Sequence, residues 1–347
     1  ENLELINTGN VYTCSLKADK LAAKLTYASG KVSVYTSVSA ALNSAQASDC
    51  TLDIFTDYDT ASTFTASGNL TLNLNGNNWT YTGTGCAFKT SSNSGKTMTI
   101  KNGTVTVAEG ANAAVELGNF NNPGHLIVES DAVIKGNTII VDKTGSTLTV
   151  YGTIDTTGTN NPAIIGNGSS TKDSIITIKE GAVIKSDVLA IYHPQDGVLT
   201  IEGGNISGST GVEMRGGELN ITGGEITATG EYSVGETPDG GGSSISGVAI
   251  AVSPYADKEV SANITGGTLN GGESGKAFAQ VTAIDVPVET LTSKPEVSIS
   301  GGNFNGEVVN DMKNSNGEVV DCDSFISGGS FSNDVGEYVV EDLKYAV

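Results

Sequence analysis

The sequence predicts an all-β chain wound as a parallel β-helix, a solenoid of about ten to twelve rungs. Three observations carry that expectation. First, a nine-residue unit, L-T-I-E-G-G-N-I-S at 199–207, recurs at 219–227, 262–270, 297–305 and 324–332, with looser copies at 72–80, 98–106, 126–134, 148–155 and 176–184. Second, apolar and polar residues alternate within each copy, the period of a strand, until two glycines make a bend and an apolar residue returns (Ile206, Ile226, Leu269, Phe304, Phe331). Third, another apolar segment follows at a loop's distance, as at Ala113–Leu117, 163–165, 188–191, Val248–Val252 and 277–281. Taking Leu74, Ile100, Val128, Val150, Ile178, Ile201, Ile221, Ile264, Ile299 and Ile326 as anchors, the steps are mostly 20–28 residues, with two longer ones of 43 and 35. One rung cannot bury its apolar face alone, so such anchors are expected to stack into an internal aliphatic ladder.

The elements follow in order. Residues 1–35 fit no rung, but Ala23–Tyr27 and Val32–Tyr35 flank a turn and read as a hairpin. Val38, Ala41, Leu42 and Ala45 recur at helical spacing, with Ser37 or Ser39 as candidate caps. That helix would cover the open end of the rod, and Cys14 and Cys50 are placed so that a bridge between them would pin this cap. Strands are expected at 51–55 and 70–76, then rung after rung to 332. The 43-residue step reads as one rung with a loop, 230–246, inserted. The final 333–347 breaks the repeat, and 338–340 with 343–345 is expected to fold over the last rung. The organisation is therefore an N-terminal hairpin and capping helix at 1–50, a solenoid at 51–332 and a C-terminal cap.

Composition narrows the function. The net charge is −21, and Arg215 is the single arginine. A chain with so small a basic footprint is not a nucleic-acid binder and is repelled by anionic membranes. No apolar run approaches the length of a membrane span. Four cysteines without a CxxC pair, and two histidines, give no zinc set, and no other metal or cofactor is implied. Cys86 reads as a small apolar core residue. Asp57/Asp59 and Asp321/Asp323 read as isolated surface acids, and the N-x-S/T triplets at Asn205, Asn220 and Asn263 as repeat positions.

Several stretches resemble one family. A strand leading into a short Ala-rich helix, then D-x-T-L-x-I at 49–54 and L-x-L-N-G at 72–76, is similar to the N-terminal cap of pectin-lyase-like right-handed parallel β-helix proteins. The I-x-G-G-x-[IF] copies, and the stretch from A-I-Y-H-P-Q-D-G (190–197) to G-V-E-M-R-G (211–216), resemble the repeat-rich secreted or surface-attached members made by gut bacteria. The resemblance spans roughly 32–340. It implies a right-handed rod at a bacterial surface or outside the cell. It implies either a non-catalytic, adhesin-like partner of polysaccharides or host glycans, expected as a monomer, or a polysaccharide lyase or glycoside hydrolase. The family's lyases use a basic residue beside calcium held by several aspartates, and its hydrolases use adjacent aspartates with G-H-G. This chain has no Asp-Asp pair, and His125 lies in P-G-H-L. The non-catalytic reading is therefore preferred. The densest local chemistry is Tyr192, His193, Glu213, Arg215 and Tyr255 on neighbouring rungs. Tyr192 and Arg215 both lie 14 residues past an anchor (192 − 178, 215 − 201) and are expected side by side, as a patch suited to a sugar. In the enzymatic alternative His193 or Glu213 is the acid or base and Arg215 neutralises a uronate; a corner of mutually satisfied polar groups is the third reading of the same residues.

Overall fold

A computed structural model describes residues 3–343 except 9–10, 91–94, 119–121, 169–171, 237, 239–241 and 285, with the backbone alone for 3–16 and 343. The chain is all-β and dominated by large parallel sheets, an arrangement compatible with a β-helix. Most coils supply three short strands. In the coil anchored on Ile201 they are Gly197–Ile201, Asn205–Gly208 and Thr210–Met214. The first pairs in parallel with Ser174–Ile178 before it and Gly217–Ile221 after it. The second pairs with Val183–Lys185 and Glu225–Ala228, and the third with Leu189–His193 and Val248–Val252. Repeated along the chain, this makes three columns of strands. The third column alone is a ten-stranded sheet, so the stack is roughly 45 Å long at about 4.8 Å per strand.

The register follows from burial. Ile178, Ile201, Ile221, Ile264, Ile299 and Ile326 pair in sequence across the first column. All lie in the core, where a one-residue slip would turn every one of them to solvent. One anchor is corrected: the residue paired with Ile100 is Leu72, not Leu74. Both leucines are buried, but Leu74 sits past the end of Leu70–Asn73, where the chain already bends. The two glycines of the repeat serve different needs. A Cβ on Gly203 would lie 2.7 Å from Glu180 Cα of the coil before, and Gly204 has φ +84°. One glycine lets the coils approach and the other turns the chain left-handed at no steric cost; Gly224 and Gly267 repeat the second role.

The helix forms over Val38–Ala45 and buries Val38, Ala41, Leu42 and Ala45. It packs on Ala23–Tyr27 and Cys50–Ile54, the strands that open the first column. Ser37 is its N-cap but makes no side-chain capping bond, and Ser39 instead bonds Tyr58 Oη at 3.0 Å. The hairpin Ala23–Tyr27/Val32–Tyr35 is present and antiparallel. A second antiparallel pair, Leu3–Thr8 with Val11–Leu16, was not read from the sequence; its short alternating strands match no rung. Cys50 carries a buried free thiol; the side chain of Cys14, its expected partner, lies outside the described residues. Cys86 is buried too, but its thiol faces Glu116 Oε2 at 3.4 Å rather than the aliphatic core. At the other end Tyr338 stacks on Phe325 with ring centres 5.1 Å apart, and Val339 bridges Ile326. The side chains of 343–345 expected to join them lie outside the described residues. No helix among the described residues is long and apolar enough to cross a membrane.

Candidate functional site

The third column carries the chemical cluster on its outer face. Side chains alternate along a strand, so Ile191, Val212 and Ile250 enter the core while Tyr192, Glu213 and Ala251 point away from it. Tyr192 is in register with Glu213, not with Arg215. The cause is length: Tyr192 is 14 residues past Ile178, whereas Glu213 is only 12 past Ile201, because the E-G-G-N bend and the turn after it are each one residue shorter than in the coil before. Arg215 therefore leaves the sheet at the next corner, where its N–H donates to His193 O at 2.9 Å.

Tyr192, Glu213, Arg215 and Tyr255 do meet, and the inserted segment between Glu225–Ala228 and Val248–Val252 joins them; the His193 side chain does not join them. That segment pairs Ser233–Val234 with Ile245–Ser246. It lays Ile245 over Val248, Ala251, Ala279 and Val281, a second small core outside the third sheet. Gly242 O accepts from Tyr192 Oη at 2.8 Å and from Arg215 Nη1 at 2.6 Å. Tyr192 has spent its proton there, so Tyr255 donates in the 2.8 Å bond between the two hydroxyls. Arg215 Nε donates to Ser253 O at 3.0 Å, and its guanidinium lies 3.8 Å from the centre of the Tyr255 ring. Glu213 Oε1 accepts from the N–H and Oγ of Ser244 at 2.9 and 2.7 Å and lies 4.0 Å from Arg215 Nε. Tyr192, His193, Glu213 and Arg215 are 3, 0, 0 and 4% exposed. Tyr192, Glu213 and Arg215 direct their chemistry at the insertion and at one another, and of the cluster only Tyr255 reaches the surface.

His193 lies at the inner side of the same corner. Its Nδ1 lies 3.0 Å from Gly216 O, so Nδ1 carries the proton. Burial lowers its pKa from the ordinary 6.5 to about 4. A neutral imidazole in the fold and a titrating one in the unfolded chain give a definite sign. Stability from this residue is present above pH 6.5 and is lost as the pH falls from 6.5 toward 4, by about 3 kcal/mol in all. Urea midpoints at pH 7 and pH 4.5 check it: the wild-type chain is expected to lose more than His193→Leu over that interval.

A different surface is set apart by its lack of charge. The outward residues of the first column form two files. One is Thr97, His125, Thr147, Ile175 and Val198; the other is Thr99, Ile127, Thr149, Thr177 and Thr200. These ten side chains from five consecutive coils contain no carboxylate, lysine or arginine, on a chain with net charge −21. His125 belongs with them, since burial lowers its pKa and its ring bonds Thr147 Oγ1 at 2.8 Å. Ile175 is 47% exposed. A third file beside them is charged and includes the ion pair Lys179–Glu202 at 2.7 Å. This face was missed at the level of motifs, but it is readable in the repeat: it consists of the residues one and three places before the anchors Ile100, Val128, Val150, Ile178 and Ile201, and it ends at Glu218. Among the described residues no three His, Cys, Asp or Glu gather as a metal set. Comparison with protein families, curated proteins and solved structures finds no significant match.

Proposed function

We propose that this chain is a non-catalytic, extracellular or cell-surface binding rod of the pectin-lyase-like, right-handed β-helix type. We propose that its ligand is an uncharged polysaccharide or surface glycan lying along the first column. The observation that carries the reading is the uncharged double file 97–200. Hydroxyls and methyl groups repeating about every 4.8 Å offer hydrogen bonds and apolar contact to a neutral chain without desolvating an ion. The net charge of −21 on the chain disfavours polyanions as the ligand.

The test is adsorption to a panel of insoluble polysaccharides. Thr149→Lys with Thr177→Lys places two cations in the strip without touching the core. It is expected to weaken adsorption at least tenfold with an unchanged circular dichroism spectrum. Adsorption equal to wild type would remove the strip from the function, and turnover of any polysaccharide would favour the enzymatic alternative.

A further inference from the structure

The last corners of the rod differ from the others. Between the third and first columns most corners are short, but Lys276–Val281 is joined to Glu296–Asn305, and Glu307–Asp311 to Ile326–Phe331, by long connections. Between them lies a cavity of about 250 Å³. One part of its wall is apolar, with Val297, Met312 and Phe325, and the half-buried Cys322 thiol, whose pKa burial pushes up, adds to that part.

Two observations mark it as a ligand site. The first is Gln280, 4% exposed, on the cavity wall. It follows Phe278 by two residues and shares that residue's inward face, and its side-chain amide has no hydrogen-bond partner among the described residues. Asn310, in register beside it, also holds a buried Oδ1 without a partner among the described residues. The second is the rim, where Glu296, Asp321 and Asp323 face a single cation, Lys294. The bias continues past Glu296, which also borders an adjoining groove with Asp196, Glu218 and Glu259.

We propose that this corner binds a small organic cation with a flat apolar body, of the aryl-alkyl ammonium class. The ring enters the apolar part of the cavity, the Gln280 amide meets its polar edge, and the ammonium sits among the rim carboxylates. Burying the ring supplies most of the affinity, and the rim selects charge. This proposal is independent of the uncharged strip on the first column.

Isothermal titration of the intact chain at pH 7 and low salt, with tryptamine, indole and indole-3-acetate as probes, tests it. Saturable one-to-one binding of tryptamine, weaker binding of indole and none of indole-3-acetate are expected. Asp321→Asn with Asp323→Asn, both on exposed residues, should weaken tryptamine by about tenfold and leave indole unchanged. Val320→Trp, filling the cavity from its wall, should abolish both. Absence of saturable tryptamine binding, equal binding of indole-3-acetate, or an unchanged affinity in the double variant would each overturn the proposal.

Discussion

Ile201→Ala is expected to lower stability by roughly 2–5 kcal/mol, while Thr200→Ala, one residue away, is expected to change it by no more than about 0.5 kcal/mol. The difference comes from the alternation of the strand. Ile201 is fully buried between Ile178 and Ile221 in a file that continues through Ile264. Its removal leaves a void in a stack whose neighbours are held at fixed spacing by backbone hydrogen bonds and collapse little. Thr200 stands on the outer face between Thr177 and Asn220. Urea denaturation midpoints of the two variants give the comparison. A sensitive Thr200 beside an insensitive Ile201 would mean a register shifted by one residue, with the uncharged files turned inward.

Arg215→Met is expected to cost about 3–5 kcal/mol, the range for removing one partner of a buried charged pair. Methionine keeps much of the side-chain volume, so the loss is electrostatic. It withdraws the donors to Gly242 O and Ser253 O and leaves Glu213 facing no guanidinium across 4.0 Å. The stack on Tyr255 is lost with it. The damage should be local in the first instance, because the insertion is held by these bonds and by the small core around Ile245. Hydrogen exchange should therefore quicken at Ser244–Ser246 before it quickens in Thr210–Met214. Uniform acceleration along the rod would show that the corner supports the whole stack rather than the loop.

Much of the fold was legible because the repeat states one physical demand many times. Each copy carries its own inward residue and its own bend, so nine of the ten anchors fall in register; the tenth, Leu74, errs because the bend from Leu72 to Trp79 is two residues longer than the one from Ile100 to Val105. Helix Val38–Ala45 was legible for the same reason, its four apolar residues falling on one face. The site was harder. Counting from anchors set Tyr192 beside Arg215, but corner lengths are not part of the repeat, and two missing residues moved Glu213 into that place. Nor does spacing reveal burial. Nothing in Y-H-P-Q-D or E-M-R-G says that a loop 50 residues after Tyr192 and 27 after Arg215 will close over them; that depends on Ile245 finding the small outward residues Ala251 and Ala279. The uncharged strip could be read from the anchors alone, since it lies in what is absent from alternate positions.

The stacking that builds this strip is the central claim, and a distance measures it. Thr99, Ile127, Thr149, Thr177 and Thr200 pair in succession, so Thr99 and Thr200 are four coils apart, with backbones separated by about 19 Å. Spin labels on cysteines placed at these two positions, in a chain carrying Cys14→Ser and Cys322→Ser, should give one narrow dipolar distance near that value, allowing for the label arms. A broad distribution, or a separation beyond about 35 Å, would contradict a parallel stack in this register.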